Sequence, residues 1–307
     1  MSEAQPAKPR TKRSKAKIEK GVTLPPRSSY TQLSTFQRCK TRFYWRYVLG
    51  LERVAPSTGL FRGKLLHEAY DEYMFQDRED HAIAHGVVDR MVQEELDQGT
   101  TDAEFLNAVA DEAHECLDHY LPWADANDNW TLVVPKDATK CEVTADYGLE
   151  LPDGSVHPII FKIDALVQQD GKLMMLENKF RKNLDATGLE HDLQILLYQA
   201  CWNALHPEHR IEGVIYNIVA AKPRKKDGAV GTREYFYRGE QEERIALNNA
   251  RAIIMEKRMQ AQLNLWPMNA SKDCNWDCDF VGMCLGVRAG ATVSEYVNTG
   301  QYRLRQG

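Results

Sequence analysis

The sequence predicts a mixed α/β fold with a helical front half, and three observations carry that expectation. Apolar residues recur at helical spacing from about residue 30 to residue 121, alternation with period two takes over near residue 140, and two Asp-Gly pairs separate the alternating runs as hairpin turns. With 307 residues the chain can bury a substantial core, and one elaborated domain is the default reading.

The elements follow in order. Residues 1–20 carry seven Lys or Arg and almost no large apolar side chain, so a basic disordered tail is expected over 1–28, ended by Pro25-Pro26. From 30 to 47 Leu33, Phe36, Phe43, Tyr44 and Tyr47 share one broad helical face, with Thr31 as N-cap. Further helices are expected at 62–77, 83–98 and 103–121, completing a helical part over 29–130. A sheet core at 131–238 holds strands at 140–149, 156–168 and 172–179, joined at Asp153-Gly154 and Asp170-Gly171. A helix at 189–205, strands at 211–221 and 232–238, and a long helix at 239–264 follow, before Trp266-Pro267 stops the pattern. Residues 239–288 form a C-terminal helix and cysteine cluster, and 289–307 a C-terminal tail.

Composition narrows the class. At 43% hydrophobic and 27% charged the balance is that of a soluble globular protein, and no apolar run nears the roughly 20 residues that span a bilayer. The polar, basic start lacks the apolar stretch of a secretory signal, so a cytoplasmic protein without membrane partners is expected. Seven cysteines in a reducing compartment point to metal rather than disulfides. Cys274, Cys278 and Cys284, spaced C-x3-C-x5-C, leave a metal centre one ligand short, whereas Cys116, Cys141 and Cys201 lie in apolar patterns and read as small core residues. The net charge of −5 does not by itself point to nucleic acid.

Strand alternation puts Glu177 and Lys179 on one face, and the hairpin at Asp170-Gly171 can set Asp164 beside Glu177. Two carboxylates and an ammonium at one strand end suit Mg2+ or Mn2+ and hydrolysis assisted by it, with Lys179 orienting the nucleophile or steadying the transition state. Alone, an E-x-K tripeptide is so common that a solvated pair on an amphipathic strand is the better reading. Glu142 is a weaker candidate for a third acid, since an exposed strand carboxylate explains it.

The order of parts is more specific. Gly63-Lys64-Leu65-Leu66-His67, then Ile163-Asp164, then Glu177-Asn178-Lys179, then Gln194-Ile195-Leu196-Leu197-Tyr198 resembles the RecB-like branch of the PD-(D/E)XK nucleases. That resemblance implies a restriction-endonuclease-like mixed central sheet flanked by helices, with a helical N-terminal elaboration and a C-terminal iron-sulfur lobe, over roughly 29–288. It implies His67, Asp164 and Glu177 as metal ligands, Asp164, Glu177 and Lys179 as the catalytic set, and Gln194 and Tyr198 bordering the site and touching DNA. Phe161 and Lys162 precede Ile163 where the family often has a glycine.

Iron-sulfur nucleases of this branch, AddB-type and CRISPR-associated adaptation-module exonucleases among them, place one cysteine before the core and three after it. By that resemblance Cys39, in Ser34-Thr35-Phe36-Gln37-Arg38-Cys39, joins Cys274, Cys278 and Cys284 around a 4Fe-4S cluster acting as a staple, with zinc the second occupant. Lys40 stands where the family has proline, and C-x3-C where C-x2-C is commoner. The implied activity is a DNA exonuclease on single strands or frayed ends, in recombination, repair or replication in a bacterial or phage-infected cell, alongside recombination or replication proteins. Two other readings stay open: a non-catalytic DNA-binding or accessory subunit, and a structure-specific endonuclease. Arg38, Lys40, Arg42 and Arg46, interleaved with aromatic residues, suit phosphate contact and base stacking, although core packing explains the aromatics as well.

Overall fold

The computed structural model describes residues 22–54, 58–99, 101–275 and 277–305. Most of the expected basic tail, residues 1–21, lies outside the described residues, but residues 22–28 are built in. Ser28 is buried and pairs with the strand at Ile159.

Helix α1 (Tyr30–Arg38) is capped by Ser29, not Thr31, because the Ser29 hydroxyl accepts the Gln32 N–H at 3.3 Å, while Thr31 already lies within the first turn. The expected single helix over 30–47 breaks at Cys39. That residue is extended, and its sulfur caps α2 (Lys40–Phe43), which runs on as a π-helical turn Tyr44–Val48. Strand β1 (Leu51–Arg53) and helices α3 (Thr58–Phe75), α4 (His81–Gln98) and α5 (Ala103–Asn127) complete the helical part. Asp80 and Asp102 cap α4 and α5, and α5 continues through Pro122 beyond its expected end.

The sheet region comprises β2 (Thr131–Val133), β3 (Val143–Glu150), β4 (Val156–Ile163), β5 (Ala165–Gln169) and β6 (Lys172–Arg181). After these come α6 (Leu193–Leu205), β7 (Gly213–Ala220), β8 (Gly231–Tyr237) and α7 (Glu240–Leu263). The central sheet runs β2-β5-β6-β7-β8, with β6 and β7 parallel and the other pairs antiparallel. Asp170 and Gly171 both take positive φ, as a two-residue hairpin turn requires, and β5 returns directly into β6.

The strand expected over 156–168 is two strands. β4 pairs with β3 in a separate hairpin, while β5 joins the central sheet, and the chain changes partners at Asp164. One face of the central sheet packs Met174, Leu176, Ile215 and Val219 against α3, α4 and α5; the other packs Met175, Val214, Tyr216 and Ile218 against α1, α6 and α7. Strand β7, covered on both faces, is buried throughout. The chain from 289 is not a loose tail: after α8 (Val281–Arg288), α9 (Val293–Asn298) and β9 (Tyr302–Leu304) follow, and β9 pairs with β1. Trp45, Leu51, Phe280, Met283 and Tyr302 form a small core there. No described helix is long and apolar enough to cross a membrane.

Lys257 of α7 is fully buried and donates to the Ser28 hydroxyl at 2.6 Å. A lysine only donates, so Ser28 passes its own proton to His157 Nε2, 3.0 Å away. Burial, with Arg258 nearby, lowers Lys257 from 10.5 to about 8; burial, with Lys257 nearby, lowers His157 to about 4. An amine with a depressed folded pKa leaves the unfolded chain holding more protons, so stability rises with pH until both states are neutral. Lys257→Met is therefore expected to be more stable than the wild type at pH 7 in urea titrations. That advantage should shrink between pH 8 and pH 10.5; a constant difference across the window would assign the effect to packing.

Candidate active site and cysteine centre

Strand β6 delivers Glu177 and Lys179 to one face and Asn178 to the other. The Lys179 ammonium lies 2.6 Å from Glu177 Oε1 and 3.8 Å from Asp192 Oδ2, the carboxylate that caps α6. Asp164, at the switch between β4 and β5, accepts the Asn178 backbone N–H at 2.8 Å. From α3, His67 brings Nδ1 to 3.4 Å from Asp164 Oδ2 and packs its ring edge-on to Phe180. The four residues expected to form the centre are thus brought to one place. Tyr198 is buried beneath them against Phe161, a supporting position rather than a surface one. Gln194 stands half-buried in the first turn of α6.

Burial raises Glu177 to about 7, with the Asp164 charge adding to it, and raises Asp164 to about 6 against the opposing Asn178 N–H and Lys179. The two acids titrate as a pair, and ionising both in this corner carries a cost that a further cation relieves. Burial works to lower Lys179, but Glu177 and its neighbours outweigh that and raise it, so the residue is an ammonium and no free base. Burial lowers His67, leaving a neutral imidazole with a lone pair to give.

Glu68, Asp71, Glu142, Asp164 and His67, with Lys140 and Asn178, line a cavity of about 20 Å3, room for one water-sized occupant. An imidazole and paired carboxylates around such a space fit a hard divalent cation. Among the described residues no three His, Cys, Asp or Glu side chains already stand close enough to hold one ion, and Lys179 supplies the counter-charge to Glu177.

Glu142 is no exposed strand carboxylate. It is half-buried just before β3, clamped by Lys140 at 2.7 Å and Lys162 at 2.6 Å. Asp71 accepts the Glu142 N–H at 2.8 Å and is raised by burial to about 6. Sequence reasoning passed over Glu68 and Asp71, although Asp71 follows His67 by four residues and so shares its helical face.

Cys39, Cys274, Cys278 and Cys284 line one cavity of about 380 Å3 and are all half-buried. Burial raises the thiols of Cys278 and Cys284, and each also feels Cys39 and Cys274. Cys116, Cys141 and Cys201 instead lie in the apolar core, with burial pushing each to about 12. The basic residues around Cys39 are spent on the same lobe. Arg38 and Arg42 reach Asp277 at 3.0 and 2.9 Å, Arg46 reaches Asp279 at 2.9 Å, and Lys40 pairs with Glu256. Phe43 is buried and Tyr44 stacks on Trp266, so these aromatics serve packing.

The family model of the PD-(D/E)XK nuclease superfamily matches residues 27–285. Among solved structures, a protein from Eubacterium rectale described as a candidate exonuclease is 11% identical, with 87% of this chain and 89% of that chain covered and a TM-score of 0.47. SSO0001 is 14% identical, with 86% and 88% covered and a TM-score of 0.37. No curated protein matches the chain.

The acid pair generates a stability prediction. Raised carboxylate pKa values mean that the folded state holds more protons than the unfolded one, so the cost of the pair builds as pH rises from about 4 to about 7, is fully present above that, and vanishes in acid. In metal-free buffer Asp164→Asn should raise the melting temperature by a few degrees at pH 8 and lose that gain at pH 4. A gain independent of pH would contradict the charge coupling.

Proposed function

We propose, from the premise that this chain belongs to the PD-(D/E)XK nuclease superfamily, that it hydrolyses DNA phosphodiester bonds at the corner formed by His67, Asp164, Glu177 and Lys179. The observation that carries this reading is the convergence of two carboxylates whose charges oppose each other with an imidazole from α3 and an ammonium from β6. His67, Asp164 and Glu177 would hold Mg2+ or Mn2+, which when bound supplies charge neutralisation at phosphate and an acidified water.

The residues around it divide the remaining work. Lys179, kept protonated by Glu177 and Asp192, offers N–H donors to the attacking water or to a phosphate oxygen on which charge develops. Lys179 occupies only Oε1 of Glu177, so the second oxygen of that carboxylate is open to act as a ligand. Tyr198 packs under the acids, and Gln194 one turn earlier is the DNA-facing residue of α6. Exonucleolytic action on single strands or frayed ends, in recombination, repair or replication, rests on the resemblance of the motif order.

The cysteine cavity is proposed to hold a 4Fe-4S cluster on Cys39, Cys274, Cys278 and Cys284. The four cysteines line one shared space, and Cys278 and Cys284 each feel Cys39 and Cys274; zinc is the second occupant. Held there, residues 39 and 274–284 are joined across the length of the domain.

Two measurements test these readings. With single-stranded DNA labelled at the 5′ or the 3′ end and Mn2+ present, the wild type should degrade the substrate. Glu177→Ala of equal iron content should be slower by about 100-fold or more, since even outer partners of a metal ligand cost 10- to 100-fold. Equal cleavage by both proteins would move the site elsewhere, and survival of a closed circular strand would identify the activity as exonucleolytic. Separately, Cys278→Ala should lower bound iron and the melting temperature together; iron retained in full would remove Cys278 from the ligand set.

A further inference from the structure

Asn178 sits between Glu177 and Lys179 but faces the opposite side of the sheet, where it begins a buried polar ladder. Its neighbour on β7 is Asn217, and the neighbour of Asn217 on β8 is Arg233, all three in cross-strand register. Asn217 Nδ2 donates to Asn178 Oδ1 at 2.6 Å and also contacts the Tyr120 hydroxyl, while Arg233 donates to Asn217 Oδ1. Arg233 then pairs with Asp128, just past the end of α5, whose other oxygen accepts Arg78 at 2.5 Å and the Tyr70 hydroxyl at 2.9 Å.

The ladder has a fixed direction. Arginine has donors only, so Asn217 must present its oxygen to Arg233 and its N–H to Asn178, and the Asn178 oxygen must accept. No amide in the row can flip without leaving a buried group unpaired, which costs about 1–3 kcal/mol. Asn178 is 3% exposed and Asn217 0%. Meanwhile the backbone N–H of the same Asn178 is the donor to Asp164 Oδ2 at 2.8 Å. The side chain that the ladder clamps and the N–H that orients the carboxylate belong to one residue.

We propose that Asn217 and Arg233 are positioning residues for the metal centre: by clamping Asn178 they keep its backbone N–H on Asp164, and so preset the carboxylate pair for its cation. This rests on the reading of that centre as a metal-dependent nuclease. Neither residue touches the cation or the substrate; each acts through Asn178.

Asn217→Asp separates the links. An aspartate keeps the acceptor for Arg233, and Tyr120 can turn its hydroxyl to donate, but the donor to Asn178 is gone. Mn2+ binding is read on the full-length protein, with its cluster and without DNA, by electron paramagnetic resonance of free Mn2+, counting the site that Glu177→Ala abolishes. Asn217→Asp should weaken that site by roughly 10- to 100-fold, the range for outer partners of metal ligands. At saturating Mn2+ its turnover should return toward wild type with the KM for DNA unchanged. Asn217→Leu, alike in branching and lacking all three hydrogen bonds, should weaken Mn2+ at least as much and serves where the aspartate variant does not fold. Lower melting temperatures with wild-type Mn2+ affinity would overturn the positioning role, leaving a ladder that only stabilises the sheet. A wild type with no Mn2+ site removable by Glu177→Ala would overturn the nuclease-centre reading itself, and the positioning role with it.

Discussion

Two carboxylates share a corner in which each is costly to ionise, and the architecture around them answers to that demand. Asp164 reaches the corner because the chain leaves the β3-β4 hairpin for the central sheet at that residue. Glu177 reaches it because β6 is paired on both sides and cannot shift register without turning its apolar residues out of the core. Lys179 and the neutral His67 then provide, respectively, the counter-charge and the lone pair. A site that raises its own acids to about 6 and about 7 is costly to the fold, and such cost is characteristic of a centre kept for chemistry.

The cysteine lobe solves a different problem. Its apolar core is small, and its strand pair β1-β9 is short, so the lobe has little of its own to hold it. Arg38, Arg42 and Arg46 bind it through Asp277 and Asp279, and Cys39 caps α2 at the break that turns the helix toward the cavity. Arg38, Arg42 and Arg46 are thereby committed to acids of the lobe, and two basic residues of the β7-β8 loop are likewise paired, Lys222 with Glu115 and Arg224 with Asp227.

Much of this was legible in the residues, for identifiable reasons. Period-two alternation and Asp170-Gly171 sufficed to put Glu177 and Lys179 on one face near Asp164, because hairpin geometry is local. The order of the His67, Asp164, Glu177 and Tyr198 motifs located the centre, and the spacing of Cys274, Cys278 and Cys284 located the lobe. What escaped depends on contacts distant in sequence. A helical pattern through 30–47 does not reveal a break at Cys39, and the run over 156–168 hides the change of partner at Asp164. Glu142 was read as a surface carboxylate because nothing local shows Lys162 and Asp71 closing around it. Asn217 and Arg233 carry no signal at all until β7 and β8 are paired.

The central claim is that the Asp164–Glu177 corner is where a divalent cation binds and acts. Crystals soaked in Mn2+ and measured at the manganese absorption edge test it most directly. The expected result is an anomalous peak held by Asp164, Glu177 and His67. Manganese found elsewhere, with the corner holding only water, would contradict that reading.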